Sequence, residues 1–170
     1  PPPTALRRRR PTDAAPAGTF ERMAEAIRGL APAAAIVRAA SPAVVEDPAA
    51  VRGKRVIVVE DGPTVTHGGM PHGAGIAALR DVEGVTVLDP RDSASPAIRA
   101  VYDAYPHIGR VLPAMGYSAA QREALRETID ASAADVVVAA TPIDLAALIA
   151  PRKPVVRVRY DYADAGEPRL

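Results

Sequence analysis

Arg55-Val56-Ile57-Val58-Val59-Glu60-Asp61 decides the fold. Four β-branched residues in a row suit a strand buried on both faces of a parallel sheet, because a strand with one wet face would alternate apolar with polar. Similar short apolar runs recur at Val85-Thr86-Val87-Leu88, Arg110-Val111-Leu112, Asp135-Val136-Val137-Val138-Ala139 and Pro154–Tyr160, with a weaker candidate at Ala35–Ala39. The Pro-punctuated stretch from Ser41 to Gly53 reads as a connection. Helical spacing fills the gaps. Phe20, Met23, Ile27 and Leu30 follow Thr19 as N-cap, with Gly29 and Pro32 closing the helix. Residues 73–80 turn Ile76 and Leu79 inward. Ser95 and Pro96 open a helix striped by Ile98, Val101, Tyr102 and Tyr105. Ser118 and Gln121 form a capping box for a helix to about Ala131, with Leu125 and Ile129 inward. Thr141-Pro142-Ile143-Asp144, with Thr141 as N-cap, opens a last helix through Ile149.

Strands alternating with helices at this spacing predict an α/β protein: a parallel Rossmann-like, P-loop-NTPase-type layered sheet with helices on both faces. The domain is expected over residues 19–162, behind a disordered Pro/Arg-rich leader at 1–18 and ahead of a flexible tail at 163–170.

The 170 residues contain no cysteine, which excludes disulfides, thiolate metal sites and cysteine nucleophiles. No apolar run approaches the roughly 18 residues a bilayer span needs, so no membrane partner is expected, and no apolar signal region occupies the first twenty positions. A cytoplasmic location is the expectation. The net charge of +1 hides an asymmetry: residues 1–20 hold Arg7–Arg10 against Asp13, leaving the remainder mildly acidic and without a basic face for nucleic acid. A phosphate-cradling P-loop needs G-x-x-x-x-G-K-[ST]. Of the two lysines, Lys54 is followed by Arg55 and has Pro48 at the first glycine position, and Lys153 lies between Arg152 and Pro154. Neither is a Walker lysine.

Ligands of layered parallel sheets bind beyond the carboxyl ends of the strands, so the loops after strands carry the candidates. The densest is Glu60-Asp61-Gly62-Pro63-Thr64-Val65-Thr66-His67-Gly68-Gly69-Met70. Glu60 and Asp61 are candidate catalytic carboxylates and candidate Mg²⁺ ligands, since phosphate chemistry needs charge neutralised. His67 is a candidate phosphate donor or general acid. Thr64, Thr66, Gly68 and Gly69 offer hydroxyls and close backbone approach to an anion ahead of a helix start. The bland alternative is a long turn in which Asp61 caps backbone.

Arg91 in Asp89-Pro90-Arg91 reads either as a clamp on phosphate or as half of an Asp–Arg pair fixing a loop. In Tyr105–Tyr117, Gly116 is a candidate anion seat, Tyr117 a candidate base-stacking ring, and His107 either a surface or turn histidine or a ligand contact. Thr141 and Asp144 are either ligand contacts or local caps. Arg157 and Arg159 share one face of the last strand.

The runs VIVVEDGPTVTHGGM (56–70), GAG (73–75), DPR (89–91), YPHIGRVLPAMGY (105–117), ADVVVAATPIDL (134–145) and KPVVRVRY (153–160) resemble the C-terminal part of the cyclic 2,3-diphosphoglycerate synthetase family, whose members are often labelled GTPases. The resemblance runs in order from about Phe20 to Tyr162. It implies ATP-driven closure of 2,3-diphosphoglycerate into its cyclic phosphoanhydride, with Mg²⁺ and ATP (or GTP). Family members are more than twice this length and carry a central P-loop domain; its lysine motif does not occur here. The expectation is therefore a part of a ligase that is inactive alone and works with a phosphorylated small molecule, in a homodimer or beside a separate P-loop domain. The alternatives are a non-catalytic phosphometabolite- or nucleotide-binding module and an inactive truncated remnant.

Overall fold

A computed structural model describes residues 18–116 and 118–167. The leader at 1–17, Tyr117 and residues 168–170 lie outside the described residues, and with them the readings made for the leader and for Tyr117 as a stacking ring. The chain divides into two units, residues 43–159 and residues 1–42 with 160–170, which are taken separately.

The larger unit is the layered α/β body. In chain order it holds β2 (Ala43–Val45), α2 (Pro48–Val51), β3 (Arg55–Asp61), α3 (Gly62–Val65), α4 (Ala74–Leu79), β4 (Thr86–Val87), a 3-10 turn (Pro90–Ser93), α5 (Pro96–Ala104), β5 (Leu112–Ala114), α6 (Ala119–Ala131), β6 (Val136–Ala140), α7 (Leu145–Ile149) and most of β7 (Val155–Tyr160). β1 (Ala39–Ala40) belongs to the other unit. The strand order is β2-β7-β6-β3-β4, with β5 also on β3. β3 runs parallel to β6 from Val56↔Val136 to Glu60↔Ala140. Its other edge is divided: β4 pairs with Arg55 and Val56, and β5 with Val59, Glu60 and Asp61. Val56–Val59 and Val137–Ala140 are almost wholly buried, as their unbroken apolar runs require.

Side chains alternate along a strand, so β3 sends Val58 and Glu60 to one face and Ile57, Val59 and Asp61 to the other. α4 covers the first face closely. A Cβ placed on Gly75 would fall 2.5 Å from Val58 Cγ1 and 3.0 Å from Ala140 Cβ, so only glycine lets the helix approach this far. α6 packs on α5 and on α7, and Ile98, Tyr102, Leu125, Ile129, Leu145 and Ile149 of these helices are all buried. α6 opens with the expected capping box of Ser118 and Gln121.

Several local expectations change. Ser95 precedes α5, but its hydroxyl donates to Ala124 O and its amide to Thr128 Oγ1, so it ties α5 to α6 instead of capping its own helix. Thr141 is not an N-cap. Asp144 is, accepting from Ala147 N at 3.1 Å, as a carboxylate facing a helix N-terminus outcompetes a hydroxyl. The Ser41–Gly53 connection contains β2 and α2, the latter begun by Asp47 accepting from Ala49 N and Ala50 N, with Pro48 at the first helical position.

In the smaller unit, α1 (Thr19–Leu30) starts after Gly18, not at a Thr19 cap. Of its apolar stripe, Met23, Ile27 and Leu30 are exposed, and Ala24 is the buried residue of the helix. The Arg38 guanidinium lies 4.3 Å over the Phe20 ring. The strand expected at Ala35–Ala39 reduces to β1, which pairs antiparallel with β8 (Ala163–Asp164), so two residues expected in the tail are paired.

Candidate functional site

The carboxyl ends of β3, β5 and β6 form a rim, and most of the candidate residues stand on it. Glu60 is the deepest, only 1% exposed. Its Oε1 accepts from Ile76 N at 3.1 Å, and the amides of Gly75 and Gly73 also point to the carboxylate. The chain's own Glu60 thus fills the anion seat that the sequence offers at this helix start. Gly73 and Gly75 are both required, since a Cβ on either would lie within 3.0 Å of a Glu60 oxygen. Burial holds the Glu60 carboxyl above the usual carboxylate range, opposed by the three amides and by His72.

Asp61, on the opposite face, caps α3. Its Oδ2 accepts from Thr64 Oγ1 at 2.9 Å and from Thr64 N at 3.4 Å. Thr66 Oγ1 donates to Gly62 O at 2.8 Å and lies 3.1 Å from His67 Nδ1. The loop then closes on itself: Gly68 N donates to Pro63 O, Gly69 N to Thr66 O and Met70 N to Thr64 O. The glycine amides expected to receive an anion are hydrogen-bonded within the chain. Gly68 is needed because a Cβ would fall 2.5 Å from Thr64 O, and Gly69 because its φ is +67°.

A Mg²⁺ site built from both carboxylates does not fit this arrangement. Neighbouring strand residues face opposite sides, Glu60 is sealed against α4, and no group of three or more metal-ligating side chains gathers among the described residues.

Arg91 takes the loop-fixing reading. Nη1 donates to Gly109 O at 2.9 Å and approaches Asp89 Oδ1 at 3.3 Å, Nη2 donates to Ile108 O at 2.5 Å, and the guanidinium lies 4.1 Å over the Tyr102 ring. It holds the 105–110 loop against the rim. Tyr102 is anchored by donating to Val111 O at 2.8 Å, and burial keeps its phenol far above the usual tyrosine range.

That loop brings together what the sequence reading kept apart. His67 and Tyr105 are 5.8 Å between ring centroids, Tyr105 and His107 are 6.2 Å, and His107 Nε2 lies 2.8 Å from Val65 O. Gly109 N donates to Pro71 O at 2.7 Å, fastening the two loops. The sequence reading set Tyr105 and His107 in one candidate loop but did not bring them to His67. The available signal was glycine at 109, where a Cβ would strike Pro71 O at 2.7 Å.

At the end of β6, Thr141 is 3% exposed, and its hydroxyl has no hydrogen-bond partner among the described residues. Buried hydroxyls are nearly always paired, which makes this one the rim's clearest unmet polar group. Gly116 lies against Leu148 and Arg122, at the start of α6. Arg157 and Arg159 are exposed on one face of β7, where Arg159 pairs with Glu46.

Fold and site together define a layered α/β protein with a buried, unpaired Thr141 hydroxyl past the carboxyl end of the central strand β6. Over 158 residues, 93% of this chain, the sequence is 44% identical to a protein named arginine synthetase ArcE from Thermococcus kodakarensis. The match covers 35% of that relative, so the chain spans about a third of its length. The relative is named a synthetase, but for a product other than the cyclic phosphoanhydride that the sequence resemblance implies. No family model matches the chain, and no solved structure matches it. No helix among the described residues is long and apolar enough to cross a membrane.

Proposed function

We propose that this chain is the acceptor-side portion of a nucleotide-dependent synthetase, binding a small molecule at the rim while its activation is driven by phosphoryl transfer from ATP (or GTP). The observation that carries the reading is the 44% identity to a synthetase over 93% of the chain. The position of Asp61, Thr66 and His67 past the end of β3, with Thr141 past the end of β6, supports it, because this is where layered parallel sheets place ligands. The nucleotide's phosphates and their Mg²⁺ are held by a P-loop outside these 170 residues, since neither lysine here stands in a Walker motif. In such chemistry the acceptor side works by positioning and by electrostatic complementarity to phosphoryl oxygens. Thr141 carries a buried hydroxyl with no hydrogen-bond partner among the described residues, at the end of β6.

Two products are open, a cyclic 2,3-diphosphoglycerate as the sequence blocks imply and arginine as the relative's name implies. The test measures formation of each, with ATP and Mg²⁺, by the chain alone and with a polypeptide carrying the P-loop region. The expected result is ADP release coupled to one product only when both polypeptides are present. Robust turnover by the isolated chain overturns the division of labour, and no coupled product in any combination overturns the synthetase reading.

A further inference from the structure

One turn of chain fixes two rim imidazoles, and the chemistry of their partners assigns the protons. Thr66 Oγ1 contacts both Gly62 O at 2.8 Å and His67 Nδ1 at 3.1 Å. A carbonyl can only accept, so the single hydroxyl proton goes to Gly62 O, and Thr66 accepts from His67. His67 therefore carries its hydrogen on Nδ1 and a lone pair on Nε2. Thr66 is 5% exposed, so water does not compete for this hydroxyl, whereas His67 itself is exposed. The Tyr105 ring, tilted by 58°, flanks the imidazole. His107 is held the other way: Nε2 faces Val65 O at 2.8 Å and must be the donor, which leaves only the hindered nitrogen next to its own main chain. His72 has nothing comparable, with Nδ1 no closer than 3.5 Å to Gly73 O.

We propose that His67 Nε2 is a phosphoryl acceptor, carrying a transferred phosphoryl group on this rim as a phosphoimidazole. This rests on the phosphoryl-transfer reading above and adds to it a covalent station. The main-chain amides that could cradle a phosphate here are taken: those of Gly68, Gly69 and Met70 are bonded within the loop, and those at the start of α4 serve Glu60. What the loop leaves open to an electrophile is the Nε2 lone pair. In the step, that lone pair forms an N–P bond to the terminal phosphorus of an activated donor such as a nucleoside triphosphate. The P–O bond to the leaving diphosphate breaks and its electron pair departs with that oxygen. The Nδ1 proton stays in place, shared with Thr66 Oγ1, which stabilises the positive charge that develops on the ring. Attack by an acceptor oxygen or nitrogen then breaks the N–P bond and restores the imidazole.

The experiment treats the 170-residue chain with potassium phosphoramidate and maps the product by phosphorus NMR and by fragmentation that preserves N–P bonds. The expected product is an acid-labile, alkali-stable adduct on Nε2 of His67 as the dominant site. His67→Gln removes it and His107→Gln keeps it. Thr66→Val slows labelling about fivefold, the factor set by one hydrogen bond of ordinary net strength. Nitrogen NMR of the imidazoles reads the tautomer independently, with His67 protonated at Nδ1. No adduct, an adduct spread evenly over His67, His72 and His107, or a His67 ring protonated at Nε2 overturns the proposal. Coupled synthesis with the P-loop polypeptide that survives His67→Gln also overturns it, while leaving the synthetase reading intact.

Discussion

The two ends of the β3–β6 pair handle charge in opposite ways. At the amino end Arg55 and Asp135 close on each other, with Nη2 to Oδ1 at 2.8 Å, Nε to Oδ2 at 3.2 Å and Arg55 N to the same Oδ2 at 3.0 Å. Both residues are solvent-accessible and fully matched, and the pair also fixes the register of two parallel strands. At the carboxyl end Glu60 is sealed, with main-chain amides as its hydrogen-bond donors and no cation paired directly to it, and the Thr141 hydroxyl has no hydrogen-bond partner among the described residues. The amino end is built for stability. The carboxyl end carries costs that stability alone does not explain, which is the usual signature of a functional edge.

The largest effect expected on this contrast comes from Gly75. Gly75→Val pushes a branched side chain into Val58, Ala140 and Glu60, and the expected loss is about 3 kcal/mol or more, read from chemical denaturation. A loss below about 1 kcal/mol would mean that α4 is free to lift from the sheet, and that Glu60 is not sealed.

Next comes the pH dependence of Glu60. Its folded pKa lies above the ordinary value of 4.5, so the unfolded chain releases this proton first. The contribution is then fully present below that value and is lost as pH rises through the folded pKa. Glu60→Gln removes this loss. The stability of the variant relative to the native chain is expected to rise with pH from about 4.5 upward, and a flat difference would show that the carboxylate is well matched after all.

Thr141→Val should make the chain more stable by about 1 kcal/mol, because it replaces an unpaired buried hydroxyl by a methyl of similar volume. On the synthetase reading the same change weakens acceptor binding at the rim. Stabilisation without any effect on coupled turnover would remove Thr141 from the site.

Much of this was legible in the residues. The buried strands at 55–59 and 135–139 follow from uninterrupted β-branched runs, and the helices at 96 and 119 from Pro96 and from the Ser118–Gln121 box. The dense loop after β3 was recognisable because its glycines, hydroxyls and histidine directly follow two carboxylates. Periodicity could not tell which groups were already taken. A local spacing does not reveal that Glu60 reaches sixteen residues ahead to Ile76 N, or that Arg91 donates to carbonyls seventeen and eighteen residues on. β2 was hidden by its three-residue length between prolines, whereas α1 was legible from its spacing and only the exposure of Met23, Ile27 and Leu30 was not. Local signals fix elements, whereas the state of a site depends on contacts closed by the topology.

The smallest effect belongs to the amino end, and it carries the opposite sign from Glu60. The Arg55 guanidinium and amide hold the Asp135 carboxyl down to about 2, from an ordinary 3.8. A lowered folded pKa contributes stability that is present above the unfolded value and disappears as pH falls through the folded one. Native chain and Asp135→Asn should therefore differ above about pH 4 and converge as the pH approaches 2, where Glu60 contributes in full. Because the pair is open to water, the difference should also shrink in molar salt, whereas the Glu60 slope should persist, since ions screen an exposed pair far more than a sealed carboxylate. If both effects faded together in salt, Glu60 would be as accessible as Asp135, and the distinction between a matched end and an unmatched one would fail.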